Sequence, residues 1–346
     1  MTKRIVLCLS HSVEEAMQLD LLTSLGYEVF SIGGYIEPAH PHADLRGPVD
    51  APFYPELKQA VDDLGTPDNL TAAQERIPDA ILDWLGDDGA IVYHHKEERA
   101  WGDWPRLLDW KRGNAGRRVI WRTVGQSVSN NERQARPYRM AGCERVAYSP
   151  REANIPDYSG HDALIRFWGE QDDEPWTGED ALVINIAQHL RQREPFTNWS
   201  FWDSATRDLP RCAMGPGSDA IGGPGPLSHA ALRKALHRSR AFVFCGSQPA
   251  SYTLALIEAL HAGIPVVSIG PQWMRVRYTD HDAQELFEGH EIAPLWSDDP
   301  NAVHHMLRRL LDEPEHAAEI SRLSRVIARD LFDRATVGAQ WKAYLG

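Results

Sequence analysis

Apolar positions along the chain alternate between two patterns. Short runs rich in β-branched and aromatic residues read as buried strands, and runs with apolar residues three and four apart read as helices. Arg4 to Leu9 (R-I-V-L-C-L) is the first strand. Ser12-Val13-Glu14-Glu15 has the spacing of a capping box, and Val13, Met17, Leu21, Leu22 and Leu25 then recur at helical spacing up to Gly26. Glu28 to Ile32 is a second strand. Residues 35–75, rich in Pro and Asp, hold the least regular pattern. Further strands are predicted at Ala90 to His94, Arg118 to Trp121 and Arg145 to Tyr148, with a short one from Ala163 to Phe167.

The polar stretch Gly169 to Asp180 carries six acids, two glycines and a proline, and reads as a linker. Beyond it the pattern restarts. Strands are predicted at Ala181 to Ile186, weakly at Pro210 to Met214, at Ala241 to Cys245 and at Pro265 to Ile269. Ser228 caps one helix, Leu254 to Ala262 forms another, and the last 45 residues are helical in pattern. Strands that alternate with helices predict parallel, doubly wound sheets. The expectation is an α/β protein of two Rossmann-like domains facing a cleft, with boundaries 1–168, linker 169–180 and 181–329.

The length of 346 residues suits two domains. Lys and Arg number 36 against 49 Asp and Glu, a net charge of −13, which argues against broad binding to nucleic acid or anionic lipid. No apolar run approaches the roughly 18 residues of a membrane helix, and the Ile5 to Leu9 run is too short for a signal peptide. Cys8, Cys143, Cys212 and Cys245 form no C-x-x-C pair, so neither a zinc knuckle nor a redox motif is expected. They read as buried thiols in a reducing cytoplasm.

The most informative stretch runs from Cys245 to Gly270, C-G-S-Q-P-A-S-Y-T-L-A-L-I-E-A-L-H-A-G-I-P-V-V-S-I-G. It reads as strand, glycine-containing loop, helix and strand. Ser251 and Thr253 are available as caps for a helix starting near Ser251, and Gly263 with Pro265 stops it. The loop from Gly246 and the amides around Ser251, Tyr252, Thr253 and Leu254 would point at the carboxyl edge of the sheet, a geometry that binds phosphate. Glu258, about two turns in, is placed to hold the vicinal hydroxyls of a ribose; the alternative is a solvated helix carboxylate.

This segment resembles the donor-binding motif of retaining GT-B glycosyltransferases, in particular the large glycosyltransferase family four. Their motif has two glutamates with seven residues between them, then A-x-x-x-G-x-P-V-V. Glu258 and the run Ala259 to Val267 match it, while the first glutamate position is Ala250. Ile5 to Gly33, Ser228 to Cys245 and Leu331 to Trp341 resemble other parts of that fold, the last being a terminal helix, 330–346, that crosses back onto the first domain. The resemblance implies a retaining, metal-independent transfer from a nucleotide-diphosphate sugar, such as a UDP- or GDP-sugar, with no further cofactor. It implies that Arg193 or Arg191, in H-L-R-Q-R-E, neutralises the departing diphosphate, and that the base lies near the Gly215–Ile221 loop.

His94 and His95 end a strand at the edge where such sheets bind ligands, and the resemblance gives a histidine near there to the donor sugar; the alternative is an imidazole capping the strand end. Gly125, in R-T-V-G-Q, would let backbone approach the reacting sugar. Asp280-His281-Asp282 spells a D-x-D triplet, but Asp282 and Glu285 read better as a capping box, so no metal site is expected. Trp199 and Trp202 are either sugar platforms or core. The acceptor is left open among saccharides, small molecules and modified nucleic acid. Arg117, Arg118, Arg122, Arg133, Arg136 and Arg139 mark the one place where a phosphate backbone would sit. Ala250 keeps a non-catalytic nucleotide-sugar binder as a further alternative.

Overall fold

The computed structural model describes residues 2–8, 12–36, 49, 52–94, 103–125, 128–247, 250–271, 273, 286–287 and 295–346. The chain divides into two compact units. The first comprises Met1–Tyr148, Pro156–Ile165 and Gly338–Gly346, the second Ser149–Ile155 and Arg166–Val337.

The first unit runs β1 (Arg4–Cys8), α1 (Ser12–Ser24), β2 (Glu28–Ile32), α2 (Pro55–Asp62), α3 (Asn69–Glu75), α4 (Asp79–Leu85), β3 (Ala90–His94), α5 (Trp104–Arg112), β4 (Arg118–Arg122), α6 (Ser129–Met140), β5 (Glu144–Ala147) and β6 (Ala163–Leu164). All strands pair in parallel in the order β2-β1-β3-β4-β5-β6. Their near-continuous apolar sequences follow from burial on both faces, as crossover helices require. Ile5, Val6, Leu7, Ile91, Val92, Val119 and Ile120 are wholly buried.

Two helices stand where the sequence looked irregular. Pro55 opens α2, which buries Leu57 and Val61, and Asp68 caps α3 by accepting from Thr71 N at 3.0 Å. Here the Pro and Asp residues are helix-start signals rather than loop markers. The carboxylate of Glu15 is turned to β2, while the Ser12 side chain of the expected capping box lies outside the described residues. The Glu15 carboxylate accepts from Ser31 Oγ at 2.8 Å and from the amides of Gly34 and Tyr35, each at 2.9 Å. Gly33 is required beside it, since a Cβ there would lie 2.5 Å from Glu15 Oε1.

The second unit opens on a 3-10 turn, Pro150–Asn154. It continues with β7 (Asp180–Ile186), α7 (Trp199–Thr206), β8 (Arg211–Met214), α8 (His229–Arg238), β9 (Ser239–Phe244), α9 (Leu254–Ala262), β10 (Val266–Ile269), β11 (Trp296–Ser297), α10 (Pro300–Asp312) and α11 (Pro314–Phe332). Its strands are also parallel, in the order β11-β10-β9-β7-β8. The stretch 169–180 belongs to this unit. Trp176 Nε1 donates to Ser239 O at 2.9 Å, and Thr177 N to His237 O at 3.0 Å.

The last helix, α12 (Arg334–Leu345), begins in the second unit and belongs to the first from Gly338 onward. Within the first unit it is held by chemistry as well as packing. The Arg118 guanidinium lies 4.0 Å from the Tyr344 ring centroid, and Tyr344 Oη donates to Glu144 at 2.9 Å. Among the described residues no helix is long and apolar enough to cross a membrane. The four thiols are free. Burial pushes those of Cys8 and Cys245 up, and that of Cys143 to about 12.

Candidate functional site

A parallel sheet opens a crevice at the carboxyl ends of its strands, where crossovers leave in opposite directions. In the second unit this point lies between β7 and β9. The chain leaves β7 at Ile186 and β9 at Phe244, so segments 187–198 and 245–253 begin side by side.

Segment 187–198 is a pinned turn. His189 N donates to Pro216 O at 2.7 Å, Arg193 N to His189 O at 2.9 Å and Phe196 N to Arg193 O at 2.7 Å. Thr197 Oγ1 donates to Leu190 O at 2.6 Å. His189 and Asn198 both sit at φ 53°, a left-handed conformation that Asn tolerates better than most side chains. The buried Asn198 amide donates to Cys245 O at 2.8 Å and so ties the two segments together.

Arg191 and Arg193 are carried on the exposed part of this turn. The Arg191 guanidinium lies 5.8 Å from the Trp199 ring centroid. Glu194, beside Arg193 in sequence, directs its carboxylate to Trp199 N and to Ser200 Oγ at the start of α7. Among the described residues the Arg193 guanidinium has no hydrogen bond and no ion pair. The Arg193 backbone is pinned and the guanidinium donors are unspent among the described residues.

Segment 245–253 is anchored from within. Gly246 takes φ 75°, and Ala250 N donates to Ser247 O at 2.7 Å. Tyr252 is buried, its Oη accepting from Phe167 N at 3.1 Å and its ring meeting those of Phe167 and Phe332 at 5.8 and 5.4 Å. Its side chain therefore serves packing, and only its backbone faces the edge. Ser251 is wholly buried. Thr253 is the N-cap, accepting from Leu256 N at 3.3 Å, so α9 starts at Leu254 and not near Ser251. Glu258 consequently lies one turn into the helix rather than two. Its side chain is 18% exposed, with Oε1 3.9 Å from His229 Nε2 at the head of α8.

The loop after β8 closes on the same edge. Gly215 and Gly217 approach segment 187–189 so closely that a Cβ would lie 2.8 Å from Ala187 O and 2.5 Å from His189 Nδ1. Ser218 Oγ accepts from Gly225 N at 2.9 Å, fixing the turn that carries Ile221. The structure thus brings Arg191, Arg193, Gly246, Ser251 to Leu254, Glu258 and Ile221 to one end of one sheet. Sequence reasoning passed over His189, Asn198 and Ser218, which set that geometry. The Asn just ahead of the apolar helix 199–206 was the available signal.

His94 and Gly125 lie in the first unit. His94 ends β3 opposite Arg122, and Gly125 follows β4 at φ 154°. His95, Asp280, His281, Asp282 and Glu285 fall outside the described residues. Trp202 is core, 2% exposed. Of the six arginines between 117 and 139, five are engaged internally. Arg117 donates to Gly86 O, Arg118 pairs with Glu144, the buried Arg122 donates to Ile165 O, and Arg133 and Arg139 pair with Asp157 and Asp162. Arg136 alone of the six is exposed and unpaired among the described residues. That stretch offers no row of free cations.

Among the described residues one acid and imidazole grouping has metal-ligand spacing: Asp172, Glu174 and His237. Arg233 already occupies Asp172 Oδ1 at 2.8 Å, and His237 Nε2 occupies Oδ2 at 2.6 Å. Burial raises the Asp172 carboxyl, but these two partners outweigh it and hold the group below the usual carboxylate range. The guanidinium stands where a cation would.

No protein-family model matches the chain, and no curated protein matches it. Solved structures do match over its whole length. A glycosyltransferase from Rickettsia africae superposes with a TM-score of 0.66 at 10% identity, covering 99% of this chain and 98% of that one. Anabaena HepE, in complex with UDP and glucose, gives 0.64 at 14% identity over 100% and 99%. The α-glucosyltransferase AGT, in complex with UDP, gives 0.59 at 10% identity over 99% and 100%. The chain has the GT-B fold. In that fold each unit is one Rossmann-like domain, and the point between β7 and β9 is the topological switch point of one of them.

Proposed function

We propose that the protein is a glycosyltransferase that takes a sugar from a nucleotide-diphosphate donor bound by the second unit. One observation carries this reading. A guanidinium with no partner among the described residues, a helix N-terminus and a partly buried carboxylate one turn along that helix are carried by the segments that leave β7 and β9. Each matches a part of such a donor. The first amides of α9 and the positive end of its dipole suit the diphosphate. Glu258 suits the ribose hydroxyls, and the rigid Gly215–Gly225 loop suits the base.

Transfer breaks the bond between the anomeric carbon and the diphosphate oxygen. The oxygen keeps the electron pair, and the acceptor hydroxyl supplies the new oxygen. Negative charge therefore grows on the leaving group, and Arg193, assisted by Arg191, stabilises it more in the transition state than in the ground state. The protein's own cations answer the diphosphate, so the transfer is read as metal-independent. UDP is favoured as the nucleotide because HepE and AGT were crystallised with it. Retention of configuration rests on the likeness of Glu258 to Val267 to the retaining family's motif. Ala250 leaves the donor sugar to be met by the backbone of the Ser247–Ala250 turn. The acceptor belongs to the first unit, where His94 and Gly125 lie on the carboxyl edge of the sheet. Four free thiols suit a reducing, cytoplasmic setting.

The test is proton NMR of the protein with a panel of UDP- and GDP-hexoses and no acceptor. Slow release of free nucleotide and of a sugar with the donor's anomeric configuration is expected. A sugar of inverted configuration contradicts retention. Tight nucleotide binding with no release across the panel contradicts catalysis and favours a binding protein.

A further inference from the structure

The second unit carries a cavity of about 420 Å³ lined by Trp176, Glu179, Arg240, Ser321, Arg322 and Arg325, among others. Trp176 and Glu179 precede β7, and Arg240 is the second residue of β9. The cavity therefore lies at the amino edge of the sheet, the end opposite the crevice described above. Its volume falls in the range of small-molecule sites.

Its charge is not balanced. Arg240 donates to Gly178 O and Leu311 O, each at 2.7 Å, and Arg325 donates to Glu174 O and to Ala262 O. Carbonyl oxygens orient a guanidinium without cancelling its charge. Arg322 has no hydrogen bond or ion pair among the described residues. The lining acid, Glu179, sits 3.1 Å from Arg238, outside the cavity lining. Three guanidinium groups against this one carboxylate leave a surplus of about two positive charges, in a protein whose net charge is −13. A second observation points the same way. Ser321, 6% exposed, lines the cavity, and its hydroxyl has no hydrogen bond among the described residues. That hydroxyl is open to the cavity and available to an occupant. Guanidinium groups and a hydroxyl donor are the groups that recognise phosphate, and the Trp176 indole adds an apolar wall.

We propose that this cavity is a second ligand site that binds the phosphomonoester dianion of a small organic molecule, separate from the nucleotide crevice. Arg322 and Arg325 face the phosphate oxygens, Ser321 donates to one of them, and the organic part lies along Trp176.

The test is isothermal calorimetry with glucose 6-phosphate, inorganic phosphate and glucose on the full chain. Glucose 6-phosphate should bind saturably at one site, with Kd at or below about 1 mM. Inorganic phosphate should bind more weakly, and glucose not at all. Arg322→Ala, an exposed position with no structural bond to lose, should keep its melting temperature and weaken binding about tenfold or more. Ser321→Ala should weaken it severalfold. Glu258→Ala and excess UDP should leave it unchanged. Absence of saturable binding, indifference to Arg322→Ala, equal binding of glucose, or displacement by UDP would each overturn the proposal.

Discussion

In the first unit Arg145 is wholly buried, bonded to both oxygens of Glu132 at 2.9 and 2.7 Å and held between the rings of Trp121 and Tyr158 at 4.4 and 4.3 Å. In the second, Arg193 is exposed on a pinned turn with no partner among the described residues. Both follow or sit on a strand of a parallel sheet, and both have a glutamate next to them in sequence. The first is consumed by the fold; the second is carried on a backbone turn that is pinned, with its guanidinium left uncommitted among the described residues. Buried polar groups must be satisfied internally, so a fold that buries an arginine removes it from ligand chemistry. A cation is free to serve a ligand only where the surrounding acids are already engaged, as Glu194 is at α7.

The sharpest way to break this contrast is to remove the consumed arginine. Arg145→Ala leaves Glu132 buried without its charge partner and should cost about 3–5 kcal/mol of stability. Urea unfolding reads this directly. A loss below about 1 kcal/mol would mean that the buried pair adds little to the fold and would break the contrast.

A related effect belongs to Glu14 on α1, 2% exposed. Burial raises its carboxyl to about 8, with Arg122 pulling the other way. The folded chain therefore holds this proton more tightly than the unfolded chain, whose group titrates near 4.5. Between about pH 4.5 and 8 the unfolded state has lost the proton and the folded state has not, so stability falls as pH rises through that window. Glu14→Gln should flatten the slope, on the order of a few kcal/mol across the window. Melting curves of both proteins at several pH values check it; parallel curves would refute the raised carboxyl.

Arg193→Ala should leave stability within about 0.5 kcal/mol while lowering turnover by about two orders of magnitude. Arg193→Lys should recover only part, because a point charge does not reproduce a bidentate fork. Steady-state kinetics with a competent acceptor measures this, and full turnover in Arg193→Ala together with a loss in Arg191→Ala would move the role to Arg191. The smallest effect is expected at Arg136, exposed and unpaired but on α6 away from any strand end. Arg136→Ala should change stability by less than about 0.5 kcal/mol and turnover not measurably.

The strands of both units except the two-residue edge strand β11 were legible in the sequence, because interior parallel strands are nearly continuous apolar runs. The glycine-and-proline stop of α9 was equally plain. What escaped was set by distant partners. Tyr252 lies in the candidate loop by sequence, yet its ring points inward because Phe167 and Phe332, far away in the chain, form its pocket. Glu15 has the spacing of a cap, but its bonds to the amides of Gly34 and Tyr35, nineteen and twenty residues on, could not be read from that spacing. The stretch 169–180 has the composition of a linker, while Trp176 and Asp172 fasten it to α8 and β9. The basic run from 117 to 139 looked like a phosphate track until the carbonyl or carboxylate partners of five of its six arginines were visible. At the candidate site the motif residues were readable, but the left-handed His189 and Asn198 that fix the cationic turn were not, since their conformation comes from packing against the β8 loop and β9.

The central claim is that the crevice between β7 and β9 binds a nucleoside diphosphate through Glu258 and the start of α9. Calorimetric titration of UDP into the protein and into Glu258→Ala tests it most directly. Loss of a charged acceptor to one or two ribose hydroxyls should weaken binding by about 1.5–3 kcal/mol, roughly 10- to 150-fold in Kd, with the melting temperature of the free protein unchanged. Equal UDP affinity in the two proteins would contradict the assignment.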